Sequence, residues 1–234
     1  MNRALERMRG CLVVSVQAAP DSPLASPDHL AAIARAVVGG GAGAIRTEGV
    51  AAVGAIREAV DVPVIGLVKR RAPGSDVYIT PDLEDALAVA EAGAELVAVD
   101  ATVRPRAGGA VGAEFVAAAG AELPGRIVAD VDGASAGRAA AEAGAAAVAT
   151  TLSGYTGAAR SAEDGTARPD VRLVAELARE LEVPVLAEGR YASPDDIRAA
   201  FEAGAFAVVV GTAITDPAEL TRRLAAATPG RTDG

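Results

Sequence analysis

The chain has 234 residues, 51% of them apolar and 23% charged, which is enough apolar sequence for a substantial core and too little charge for a disordered chain. With 22 basic and 31 acidic residues the formal charge is −9, aromatics make up only 3%, and tryptophan is absent. A broad basic surface for nucleic acid and aromatic grooves that stack bases or sugars are therefore excluded as defaults.

Met1 to Gly10 carries Arg3, Glu6, Arg7 and Arg9, and the apolar run behind it, Cys11 to Val16, is too short for a signal-peptide core. No other stretch is long enough to span a bilayer, so a cytoplasmic globular protein is expected. Cys11 is the single cysteine, has no partner for an intrachain disulfide and reads as a small buried apolar residue. The first predicted strand is Leu12–Val16 and the first helix Pro27–Val38, with His29 on its solvated face. One histidine leaves no His-rich zinc site and disfavours a Ser-His-Asp triad. The later strands are Ala44–Arg46, Val64–Lys69, Leu96–Asp100, Ile127–Asp130, Ala147–Thr150, Val185–Glu188 and Ala207–Val210. Helices Val50–Ala59, Asp82–Ala92, Gly112–Ala121, Ser135–Ala143, Asp170–Leu181, Ser193–Ala203 and Asp216–Ala226 alternate with them. Ser26-Pro27, Thr80-Pro81 and Ser193-Pro194 read as helix starts.

Apolar runs without polar alternation mark parallel strands covered on both faces, and strict β/α alternation without a linker marks one α/β domain. Eight units at about 29 residues each fit a compact (β/α)₈ TIM barrel. A doubly wound sheet is disfavoured, because Ser15-Val16-Gln17 stands where a Gly-x-Gly-x-x-Gly turn would follow the first strand. Ala-Gly-Ala recurs around Gly43, Gly93, Gly144 and Gly204, each time between a helix and a strand, where glycine would supply the helix C-terminal turn. The spacings of 50, 51 and 60 residues describe two βα pairs repeated four times, and Val-Pro-Val opens both the third and seventh strands. The barrel is assigned to residues 1–226, with 227–234 as a short disordered tail.

In such a barrel the reacting groups sit at the C-terminal strand ends. Those ends are Gln17, Arg46, Lys69, Asp100, Asp130, Thr150, Glu188 and the turn after Val210. Any one could be a strand emerging into solvent; a lysine, an arginine and three carboxylates on one mouth make a set. After strands seven and eight stand Glu188-Gly189-Arg190 and Gly211-Thr212, where glycine lets backbone N–H groups approach an anion. These turns are the expected phosphate site, with Arg190 available for a charged contact.

The segments Val14-Ser15-Val16-Gln17, Ile45-Arg46-Thr47-Glu48-Gly49-Val50, Gly66-Leu67-Val68-Lys69-Arg70 and Thr150-Thr151-Leu152-Ser153-Gly154-Tyr155-Thr156 carry a family resemblance. So do Val185-Leu186-Ala187-Glu188-Gly189-Arg190-Tyr191 and Val210-Gly211-Thr212-Ala213-Ile214-Thr215. The chain resembles the bacterial N-acylglucosamine-6-phosphate 2-epimerases, also called N-acetylmannosamine-6-phosphate 2-epimerases, from about Leu12 to Thr215. The resemblance implies a TIM-barrel isomerase of amino-sugar and sialic acid catabolism, free of cofactor and metal and commonly a homodimer. It implies a catalytic lysine at Lys69 and a catalytic glutamate at Glu188. It also implies substrate contacts from Gln17, Arg46 and Asp130, and phosphate contacts from the glycines after strands seven and eight. Val16 stands where the family commonly has cysteine, and Val131-Asp132-Gly133 replaces a Cys-Ser/Thr pair, which leaves the acyl group open.

The reaction itself can be reasoned from chemistry. C2 of a closed pyranose is not acidic; in the ring-opened aldehyde its hydrogen lies α to a carbonyl, and loss of the proton gives an enolate. Arg46 is the candidate for stabilising the developing charge. Lys69 acts as a base only if burial and neighbouring cations bring its pKa toward about 7–8, and Arg46, Arg70 and Arg71 are the expected neighbours. The alternative is a rim lysine paired to a carboxylate. A Schiff-base aldolase through Lys69 and a phosphosugar-binding barrel without turnover are the competing functions, separable by borohydride trapping and a turnover assay. Tyr155 on the loop Ser153 to Pro169 is a candidate cover for the sugar, and Asp100 either contacts substrate or holds its loop through Arg104.

Overall fold

A computed structural model describes residues 2–71, 73–107, 109–156 and 168–229. Eight parallel strands close into one barrel in sequence order: β1 (Leu12–Val16), β2 (Ala44–Glu48), β3 (Val64–Leu67), β4 (Leu96–Asp100), β5 (Ile127–Asp130), β6 (Ala147–Ala149), β7 (Val185–Glu188) and β8 (Ala207–Val210). The register Val13↔Val209 joins the last strand to the first. Alternate residues face opposite sides of each strand. Inside, Val13, Ile65, Leu96, Val128, Leu186 and Val209 form one buried cluster; outside, Val14, Ile45, Val97, Ala129, Val185 and Val208 pack in the clusters under the helices.

The helices are α1 (Arg3–Glu6), α2 (Pro27–Gly39), α3 (Val50–Ala59), α4 (Leu83–Glu91), α5 (Gly112–Glu122), α6 (Ala134–Glu142), α7 (Val171–Glu180), α8 (Pro194–Glu202), α9 (Thr212–Thr215) and α10 (Pro217–Ala225). Two are additions to the sequence reading, and both are only one turn long. α1 and the turn after it put Leu5 and Met8, fully buried, into the inner cluster at the N-terminal end of the barrel. α9 follows β8 directly. α10 has no buried residue and packs mainly on α9, leaving Leu224 73% exposed.

Ser26 and Ser193 cap their helices, accepting from the backbone N–H groups of His29 and Asp196. Thr80-Pro81 does not start a helix: Asp82 caps α4 by accepting from Asp85 N, and Thr80 lies in the barrel wall. Of the four Ala-Gly-Ala glycines, Gly93, Gly144 and Gly204 take the left-handed conformation of a helix end, with φ of 107°, 91° and 96°. Gly43 does not; Gly41 takes that role with φ 105°, and a Cβ on Gly43 would meet Cys11 Sγ at 2.5 Å. Cys11 is half-buried rather than fully buried. Residues 230–234 of the expected tail and 157–167 of the expected cover loop lie outside the described residues. Among the described residues no helix is long and apolar enough to cross a membrane.

Candidate active site

β2 runs past its predicted end to Glu48, so Arg46 is mid-strand rather than terminal. Its side chain points into the barrel and is 1% exposed. Across the barrel Asp130, fully buried at the end of β5, takes both guanidinium ends: Nη1 to Oδ1 at 3.1 Å and Nη2 to Oδ2 at 2.6 Å. Such bidentate geometry is what guanidinium offers a carboxylate and lysine does not. Arg46 Nη1 also lies 3.2 Å from Oε2 of Glu188, whose side chain is 14% exposed at the end of β7. The Thr151 hydroxyl lies 2.7 Å from Asp130 Oδ1 and 3.1 Å from Glu188 Oε2, bridging the two carboxylates with one shared proton.

Burial opposes the charge on Arg46, but Asp130 and Glu188 outweigh it and hold the guanidinium's pKa above its ordinary value. Glu188 is shifted upward, chiefly by burial, with Asp130 adding like-charge repulsion; Arg46, the Thr151 bond and Lys69 pull the other way. A carboxyl group raised in this way takes and releases a proton closer to neutrality than a surface glutamate.

Lys69 follows β3 by two residues and stands opposite Ile79 in an isolated antiparallel bridge. Its ammonium donates to Gln17 Oε1 and lies 3.4 Å from Glu48 Oε2, with 38% of the side chain exposed. Gln17 in turn donates to Ser15 Oγ at 2.8 Å. The expected neighbouring cations are not gathered around it. Arg70 is held by Asp82 and Asp85, the latter at 2.7 Å; Arg71 lies over the Tyr78 ring at 5.7 Å; Arg46 is committed to Asp130 and Glu188. Nor is Glu188 the lysine's ion-pair partner in this state; Glu48 is.

Gly189, with φ 113°, and Gly211, at the start of α9, form the two turns after β7 and β8. A Cβ on Gly211 would approach Ser15 Cβ to 3.3 Å. Thr212 and Ala213 open α9, where N–H groups have no carbonyl inside the helix to bond. The Arg190 guanidinium is engaged elsewhere, donating to Ser153 O at 2.8 Å and Arg168 O at 2.9 Å, 5.3 Å from the Tyr155 ring centre. Asp100 is fully buried and serves its own loop: it accepts from Thr102 N and Oγ1 and pairs with Arg104. His29 is exposed, with Nδ1 2.9 Å from Pro23 O.

A family model described as "Putative N-acetylmannosamine-6-phosphate epimerase" matches residues 30–229. The chain is 43% identical over 220 residues to a "Putative N-acetylmannosamine-6-phosphate 2-epimerase" of Caldanaerobacter subterraneus, covering 94% of this chain and 91% of that one. It is 45% identical to one of the same description from Cutibacterium acnes, covering 94% of each. A solved structure of the N-acetylmannosamine-6-phosphate 2-epimerase from Clostridium perfringens superposes with a TM-score of 0.88 over 96% of both chains, at 36% identity. The chain belongs to this epimerase family.

Within the epimerase motifs, Thr151 and Glu48 are the residues that sequence reasoning passed over. Both lie inside segments that carry the resemblance, one position from Thr150 and two from Arg46. Their partners are 21 residues away for Thr151 and Asp130 and on neighbouring strands for Glu48 and Lys69, so only the closed barrel reveals them. Tyr78 had no signal at all. Its half-buried ring packs on the inner cluster, and burial first, then Asp130, raises its pKa while Arg104 and Arg46 oppose.

Proposed function

We propose that this chain interconverts N-acyl-D-mannosamine 6-phosphate and N-acyl-D-glucosamine 6-phosphate by moving the C2 proton, with Lys69 and Glu188 as the two proton-transfer groups. What supports this reading is that Lys69 follows β3 and Glu188 ends β7, strands four apart in a closed eight-strand barrel, so the two side chains start from opposite walls of one mouth. An open-chain sugar phosphate on the axis presents one face of C2 to each. Epimerisation requires a proton removed from one face and another delivered to the opposite face. With Lys69 held as an ammonium by Gln17 and Glu48, one direction starts with Glu188 as the base and Lys69 as the donor. The reverse direction starts from the proton placement that this transfer leaves, with the roles exchanged. Arg46, held by Asp130 and almost fully buried, supplies the donor for the enolate oxygen, where burial strengthens the interaction. Asp130 has both oxygens occupied and works on the substrate through Arg46. Gln17 holds Lys69 and presents its amide to the sugar.

The 6-phosphate is assigned to the turns at Gly189 and Gly211, with Thr212 and its N–H group. Arg190 braces the first of these turns through Ser153 and Arg168. Binding energy from that remote group should be used to place C2, so removing it costs turnover as well as affinity. Purified protein incubated with N-acetylmannosamine 6-phosphate and followed by nuclear magnetic resonance should form N-acetylglucosamine 6-phosphate; unphosphorylated N-acetylmannosamine should give far lower kcat and kcat/KM. Equal kcat/KM on the two sugars would remove the anion site from the account.

The active form carries one proton shared by Lys69 and Glu188, so activity falls at low pH when both are protonated. Because Glu188 is shifted upward, that acid limb should lie above 4.5, the ordinary glutamate value. Thr151 donates to the ionised form and lowers the pKa, so Thr151→Val should move the acid limb of kcat/KM to higher pH. A pH–rate profile checks the sign; a limb that stays or moves down contradicts the assignment.

Residues 1–226 are the catalytic unit in this reading, with 227–234 outside it, acting in the cytoplasm, where a charged sugar phosphate is retained. The active species is a homodimer in this reading, and α10, with no buried residue and Leu224 exposed, is a surface on which contact with a second copy can be tested.

A further inference from the structure

β3 and β4 pair at only two positions, Ile65↔Leu96 and Gly66↔Val97, and then diverge. Residues 78–80 fill the gap between them. On the β3 side Arg70 N donates to Tyr78 O at 2.9 Å and Thr80 N to Val68 O at 2.7 Å. These two bonds flank the Lys69↔Ile79 bridge, a non-hydrogen-bonded pair whose side chains stand close together. On the β4 side Asp100 N donates to Ile79 O at 3.2 Å. The Thr80 hydroxyl completes both sides at once. It accepts from Val68 N at 3.2 Å and donates to Ala98 O at 2.6 Å, inserting one oxygen between a donor and an acceptor that neighbouring strands would otherwise pair directly.

Thr80 does this in a conformation that disfavours it. Its φ is 43°, in the left-handed region, where a β-branched side chain is crowded. It also precedes Pro81, whose ring restricts the residue before it. The conformation is held by its surroundings: Arg106, 3% exposed and stacked 3.8 Å from the centre of the Phe115 ring, donates to Thr80 O, Pro81 O and Asp100 O. Glycine would satisfy that backbone but lacks the hydroxyl. Strain retained one residue from the partner of Lys69 points to a role there.

We propose that Thr80 is a positioning residue for the reaction: its hydroxyl fixes Val68 and the 78–80 segment, and through the Lys69↔Ile79 bridge it aims the Lys69 amine at the barrel axis. The proposal rests on Lys69 being a proton-transfer group. Thr80 touches neither Arg46 nor the turns at Gly189 and Gly211, so its loss acts on the chemical step and not on substrate binding.

The test uses the full chain as Thr80→Gly, Thr80→Ser and Lys69→Ala, with thermal unfolding recorded for each. Thr80→Gly, which relieves the backbone and removes the hydroxyl, should fold and lower kcat by about tenfold or more while KM moves by less than about threefold. Thr80→Ser, which keeps the hydroxyl, should restore kcat to within about threefold of the parent. Wild-type kcat in Thr80→Gly beside an inactive Lys69→Ala overturns the proposal alone, as does a Thr80→Ser no better than Thr80→Gly. A fully active Lys69→Ala overturns the Lys69 reading and the proposal with it.

Discussion

Lys69→Ala and Glu188→Gln are each expected to lower turnover by at least about 10²-fold, the low end of what a positioned acid or base contributes. The two losses have different origins. Lys69 is anchored by Gln17 and Glu48 on the β3 side of the mouth, and alanine leaves that wall of the sugar without a proton carrier. Glutamine at position 188 keeps the shape and can still accept from Thr151, but it neither takes nor gives a proton at C2. KM should change little in either variant, because the turns at Gly189 and Gly211 are untouched. Steady-state kinetics on purified, folded variants checks both, and turnover above about a tenth of the parent's in either one removes that residue from the chemistry.

Arg46→Met should be the most damaging change to the fold. It leaves Asp130, fully buried, with only the Thr151 hydroxyl, and removes the cation that Glu188 faces. Breaking a buried pair by deleting one partner costs about 3–5 kcal/mol, a large share of the 5–15 kcal/mol typical of a folded domain. Urea unfolding of Arg46→Met measures the loss. The double variant Arg46→Met/Asp130→Asn should be the more stable of the two, since it no longer buries that charge. A double variant as unstable as the single one would show that packing of the arginine stem, not the ion pair, holds this part of the barrel.

The regular part of the fold was open to reading because its signals are local. β1, β4, β5, β7 and β8 coincide with their apolar runs, and Ser26 and Ser193 announce α2 and α8 within three residues of sequence. The departures cluster at the mouth. There Arg46, Thr47 and Glu48 are polar yet belong to a strand, because Arg46 turns into the barrel and the Thr47 hydroxyl donates to Val16 O at 2.8 Å. The inserted segment at residues 78–80 ends β3 early, and the same insertion makes Thr80 look like a helix cap when it is part of the wall. The place of Glu188 at the end of β7 was legible from its apolar run, whereas Lys69 stands two residues past the end of β3. Their environments were not legible: whether an arginine turns to a lysine's loop or to Asp82 and Asp85, 12 and 15 residues on, depends on how the loops fold back.

The most direct test of opposed proton transfer is deuterium incorporation at C2. Protiated N-acetylmannosamine 6-phosphate is turned over in deuterated water and the mixture quenched while little has reacted. If Lys69 and Glu188 act from opposite faces, the early N-acetylglucosamine 6-phosphate carries deuterium at C2 while the remaining substrate stays protiated. Early product that retains most of its original C2 hydrogen would mean that a single group serves both faces, and would leave Glu188 as an orienting or ring-opening residue.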